Sequence, residues 1–199
     1  MLVLLCLVVC VCKGMTEEFL VEALSRCGYS AGLRKGCYTH FKNQLDKYKV
    51  GDIEAVMLLS NAIHETGGFR DLEELGCTDG KGYHGRGYIQ LTHDYNYGEA
   101  SRYIFGDTRV LIERPWLVAK HEWLAWEVAF WYWEKKVRMD VERFEDRKDF
   151  KRTIEVININ EKKDNRKAFK HRVGIFKKIM ALYEEVSTQR EPSLFSNKV

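Results

Sequence analysis

The stretch HEWLAWEVAFWYWEKKV, residues 121–137, limits the fold more than any other part of this chain. Wound as a helix, it sends Trp123, Trp126, Phe130, Trp131 and Trp133 around much of its circumference, so one apolar stripe cannot account for it. Such a helix has to be enclosed by others, and its aromatic residues read as packing rather than as a binding platform. Enclosing material is present: 45% of the 199 residues are apolar, enough for one domain with a sizeable core.

The enclosing helices can be placed by spacing. TEEFLVEAL (16–24) and CYTHFKNQLDKYKV (37–50) repeat apolar residues at three and four positions, with the glycine-rich GYSAGLRKG as a loop between them. Asp52 is expected to cap IEAVMLLSNAIHE, and Gly67 and Gly68 to end it. Between Gly76 and Gly87 a loop or hairpin is expected, then a strand at YIQLT (88–92) and a helical return in YNYGEASRYIF. Pro115 opens another helical region, and KAFKHRVGIFKKIMALYEEV (167–186) is the last helix before a polar tail. The pattern predicts a mainly α domain with one small β-hairpin or strand.

With 32 basic and 29 acidic side chains, the net charge of +3 is too small and mixed to point to nucleic acid. The excess sits after Lys151 and reads as a solvated helix face. MLVLLCLVVCVCKG has the length of a signal-peptide core and falls short of the roughly 20 residues of a membrane span. Residues 1–14 are therefore expected to be a signal peptide, 15–188 one domain without membrane contact, and 189–199 a flexible tail. Cys27, Cys37 and Cys77 remain after the leader; a Cys27–Cys37 bridge is expected, with Cys77 left over.

The helix ending at Glu65 closes on residues that resist burial. At a helix C-terminus the unpaired carbonyls disfavour an ionised carboxylate, and the preceding apolar face does the same, which suits a general acid. His64 is placed to orient it. Nine residues on, Glu74 follows Asp71 and Glu73 in a loop long enough to fold back. Glycoside hydrolysis needs two such carboxyls with opposite protonation, and a gap of roughly 6.5–9.5 Å predicts inversion. Competing chemistries lack their motifs: Gly68 stands where a zinc HExxH would need its second histidine, no GxSxG or GxxxxGK[ST] occurs, and the glycines of GYHGRGYIQ precede the strand candidate instead of following it.

HETGGF (64–69), followed by YHGRGYIQLTHDYNYG (83–98), resembles glycoside hydrolase family 19, the inverting chitinases with a lysozyme-like helical fold. The resemblance covers most of the chain after the leader. It implies Glu65 as general acid, Glu74 as general base with Glu73 as the alternative, and Gln90, Thr92, Tyr95, Asn96 and Tyr83 along the sugar cleft. Arg86 is expected in an internal ion pair, and Arg172 near the carboxylates, where it would help keep the base ionised. The family's Ile-Asn-Gly-Gly turn is replaced by VININEKK, so its water-holding asparagine is assigned to Asn158, with Asn160 as the alternative. The implied protein is a secreted, monomeric endochitinase acting on N-acetylglucosamine polymers without metal or cofactor. The alternatives are a peptidoglycan hydrolase and a catalytically silent chitin-binding relative.

Overall fold

The aromatic helix is enclosed as its composition requires. In the computed structural model, which describes residues 14–30, 32–76, 82–141, 143–144, 147–158 and 165–190, every residue from Leu124 to Trp131 is buried. Trp126 is fully covered, with Tyr88 stacked on it at 3.6 Å and Phe41 and Phe69 packed at 4.8 and 5.7 Å. Trp123 departs from the expectation: in the first turn it is 41% exposed and meets Phe105 edge-on.

The described residues are mainly helical: α1 (Glu17–Arg26), α2 (Cys37–Lys47), α3 (Asp52–Glu65), α4 (Asp94–Phe105), α5 (Arg109–Glu113), α6 (Leu117–Lys120), α7 (Glu122–Tyr132), a π-helical turn (Trp133–Val137), α8 (Arg138–Asp140), α9 (Arg147–Ile157) and α10 (Arg166–Arg190). α2 and α6 pack on α7, while α10 and α9 pack on α3. Thus two helices that are apolar on most sides, α3 and α7, form the interior. The last helix runs past its predicted end to Arg190, into the segment expected to be tail. Among the described residues no helix is long and apolar enough to cross a membrane.

Charges inside this interior are paired, as burial demands. Glu54 of α3 accepts from the Trp133 indole at 2.8 Å and from Arg138 at 2.7 and 2.9 Å. Glu127 of α7 accepts from Gln44 at 2.7 Å and Tyr48 at 3.2 Å. These contacts tie α3 to the end of α7, and α7 to α2.

Three local expectations fail. Gly51, not Asp52, caps α3; Asp52 is its first helical residue, where its negative charge still favours the helix N-terminus. YIQLT is no strand: Tyr88 to Gln90 form a tight turn closed by an isolated bridge between Arg86 and Leu91, and a second bridge joins Glu73 to Arg86. Cys27 and Cys37 are both free, because Cys37 turns into the core and accepts a hydrogen bond from the Tyr88 hydroxyl at 3.3 Å. Burial pushes the Cys37 thiol up to about 12 and raises Cys27 as well. Residues 1–13 of the expected leader, Cys77, Asn160 and residues 191–199 of the expected tail lie outside the described residues.

Candidate active site

Glu65 is the last residue of α3, and the turn behind it is tightly determined. Thr66 donates to the Ala62 carbonyl at 2.6 Å and accepts from the Phe69 amide at 2.9 Å. Gly68 follows at φ +78°, where a Cβ would lie 2.3 Å from the Tyr29 ring, so no larger residue fits without moving that ring. The carboxyl itself is held from α10. Arg172, 1% exposed, donates to Glu65 Oε1 at 2.6 Å and to Asn61 Oδ1 at 3.0 Å. Asn61 in turn donates to Thr153 of α9 at 3.0 Å. A buried polar chain therefore runs through α3, α10 and α9 and ends on Glu65.

Arg172 thus stands beside one of the two candidate carboxylates, bonded to Glu65, the candidate acid. Its guanidinium stabilises negative charge on Glu65, against the helix end that disfavours it. His64 engages His171, with Nδ1 atoms 3.2 Å apart. Burial first, then the charge of Arg172 and the neighbouring His171, push His64 down to about 3, so the imidazole is neutral at ordinary pH.

The opposite wall is built from loop. At the Glu73–Arg86 bridge the chain is extended, and consecutive side chains diverge. Glu73 pairs with Arg86 at 2.9 Å and His84 at 3.0 Å. Burial alone would raise Glu73, but those two partners outweigh it and hold its carboxyl below the usual range. Arg86, 4% exposed, also donates to the Gly82 carbonyl at 2.6 Å and the Tyr97 hydroxyl at 3.1 Å, the internal role expected for it. Glu74 faces the cleft, where Oε2 accepts from the Gly85 amide at 2.9 Å while the Glu74 amide donates back to the Gly85 carbonyl at 2.9 Å.

Glu65 and Glu74 line one cleft of about 600 Å³. Gln90, Thr92, Tyr95, Asn96 and Asn158 line it too. Gln90, at φ +49°, donates to the Gly87 carbonyl at 3.0 Å, and Asn96 to the Thr92 carbonyl at 2.9 Å. Tyr83 is not among the lining residues: its hydroxyl donates to the Ile112 carbonyl at 3.1 Å, and its ring packs on Tyr97. Sequence reasoning missed His93, Tyr132, Ile89, Val156 and Ile157 as lining residues. Of the four non-glycine residues with positive φ among the described residues, Gln90 and His93 both belong to this wall. Backbone strain is therefore concentrated where ligands would bind. Among the described residues no cluster of three or more His, Cys, Asp or Glu is placed to hold a metal.

A mainly helical domain, with two glutamates entering one polar cleft from a helix end and from a loop, has the lysozyme-like architecture expected from the sequence. Residues 60–141 match the glycoside hydrolase family 19 model, described as chitinase class I. An endochitinase of Arabidopsis thaliana is 32% identical over 143 residues, covering 62% of this chain and 50% of the relative. Endochitinase EP3 of the same plant is 30% identical over 175 residues, covering 75% and 61%. The chain thus spans about half to three-fifths of the length of these relatives. The family 19, class IV chitinase of Zea mays superposes with a TM-score of 0.66 at 22% identity, over 86% of this chain and 93% of that one. Chitinase C of Streptomyces griseus gives 0.65 at 21%, with the same coverage. In sequence the chain is similar to the family 19 glycoside hydrolases through the segment that forms most of the cleft, and its fold matches theirs over most of its length.

Proposed function

We propose that this protein is a secreted chitinase that hydrolyses β-1,4-linked N-acetylglucosamine polymers with inversion. The observation that carries the reading is the entry of Glu65 and Glu74 into one cleft from two elements, with Glu65 fixed by Arg172. Glu65 gives the proton on its second oxygen, Oε2, to the glycosidic oxygen as the C1–O bond breaks. Arg172, bound to Oε1, stabilises the carboxylate that remains, so the proton leaves more readily at the transition state. Glu74 takes a proton from a water molecule, whose oxygen bonds to C1 from the opposite ring face. Gln90, Thr92, Tyr95 and Asn96 hold the sugar amides and hydroxyls, and Asn158 helps hold the water. Tyr132 and the aliphatic residues Ile89, Val156 and Ile157 exclude bulk water beside the reacting bond.

An exported chitinase would meet its polymeric substrate outside the cell, which accords with the apolar stretch LVLLCLVVCVC near the start of the sequence. The test of the chemistry is hydrolysis of chitin oligomers by the parent and by Glu65→Gln. Turnover by the parent and its loss in the variant support the reading; a variant as active as the parent overturns it.

A further inference from the structure

A groove of about 1210 Å³, twice the volume of the catalytic cleft, lies between the end of α7, α9 and α10. Tyr132 and Val156 line both, so the two form one continuous surface. We propose that this groove is a second binding site, for acidic peptide appendages on an amino-sugar polymer whose backbone lies in the cleft. The proposal rests on the glycosidase reading of that cleft and extends its substrates from chitin to a related polymer that carries such appendages.

Charge is the first argument. Five cationic side chains line the groove against two carboxylates, a surplus equal to the formal +3 of the entire chain. Arg152 engages both carboxylates, Asp140 at 2.6 Å and Glu155 at 3.2 Å, and Lys136 pairs with Glu99 at 2.8 Å. Lys135, Arg166 and Lys170 have no carboxylate partner among the described residues. Three like charges on one concavity repel each other and attract an anion. An uncharged N-acetylglucosamine chain offers nothing for them to bind.

The floor is the second argument. Met139, 82% exposed, and the half-buried Phe169 present apolar surface between the cations. Aliphatic side chains carrying carboxylates at intervals, as in a short acidic peptide, complement both features. Nucleic acid fits less well, since three uncompensated charges around an apolar floor give no long basic track for a phosphate backbone. Continuity with the cleft sets the attachment: the appendage enters the groove past Tyr132 while the sugar to which it is joined remains beside Glu65.

The test uses the full chain and three polymers: peptide-bearing peptidoglycan, the same material stripped of peptides by an amidase, and chitin. Sedimentation reads binding, and reducing-end release reads hydrolysis. At about 20 mM salt, where screening is weak, the peptide-bearing polymer is expected to bind about tenfold more tightly than the stripped one, and the advantage shrinks by about 200 mM. The Lys135→Glu, Lys170→Glu double variant loses that advantage and hydrolyses chitin oligomers within about twofold of the parent, each charge reversal being at the surface. If it fails to fold, Lys170→Gln shows the same loss in part. Equal binding of peptide-bearing and stripped polymer overturns the proposal, as does displacement of the peptide-bearing polymer by a duplex DNA oligonucleotide at equal charge concentration. Peptide-dependent binding without turnover of any polymer supports the groove and overturns the glycosidase reading.

Discussion

The two walls of the cleft are built to different standards of rigidity. Glu65 stands at the end of a buried helix, and a polar chain through Arg172, Asn61 and Thr153 fixes it from two further helices. Glu74 stands in a loop, fixed by two hydrogen bonds to Gly85 and bordered by the strained Gln90 and His93. The helix wall couples its carboxyl to the stability of the whole domain, whereas the loop wall leaves its carboxyl nearly independent of the core. A general acid that must keep a proton until the bond breaks gains from fixed surroundings, and a base that must follow an attacking water tolerates more freedom.

That contrast can be broken by paired amide substitutions. Glu65→Gln and Glu74→Gln should each lower turnover of chitin oligomers by about 10³-fold, within the range for lost acid or base catalysis. Their stabilities should differ. Compared with the ionised form of Glu65, the amide at position 65 would leave the Arg172 charge uncompensated and lower the urea midpoint, while the amide at position 74 keeps an acceptor for the Gly85 N–H and should leave the midpoint unchanged. Equal midpoints would dissolve the distinction. Arg172→Met goes further on the helix wall, stranding Glu65 and Asn61, and should cost about 3 kcal/mol in denaturant unfolding. A loss below about 1 kcal/mol would show that the buried chain does not fix the wall.

pH sharpens the comparison. His64 has its pKa lowered to about 3 on folding, so as pH falls below the unfolded value the unfolded chain binds a proton that the folded chain refuses, and stability drops. Between about pH 7.5 and 5 this costs about 2 kcal/mol, which His64→Asn should abolish when unfolding is followed at both pH values. An unchanged pH slope in the variant would contradict the assignment. The smallest effect belongs to the loop wall: a Cβ at Gly85 would lie 2.6 Å from Gln90 Oε1, so Gly85→Ala must turn that flexible amide aside. A severalfold rise in KM with less than about 1 kcal/mol of destabilisation is expected, since the displaced atom is the end of a mobile side chain.

The same difference explains what the sequence could reveal. Apolar spacing is local, so α3, α7 and α10 were readable, and Glu65 was legible as a carboxylate at a helix end. The loop wall misled, because Ile89 and Leu91 are both buried at a turn, and their two-residue spacing imitates a strand. Arg172's link to Glu65 depends on side chains 107 positions apart, and only the polar Asn61 within an apolar helix hinted at a buried partner. The Cys27–Cys37 expectation treated two nearby cysteines as partners when Cys37 was a core residue. The basic groove was hidden for a similar reason: its cations come from three elements, and none forms a run long enough to stand out against a mixed background.

Proton NMR of the first sugar released from chitin oligomers tests the opposed carboxyls most directly. Attack by water from the face opposite the leaving group predicts that the new reducing end appears first as the α-anomer and then mutarotates. Initial release of the β-anomer would mean retention, and Glu74 could not be acting as a base toward water.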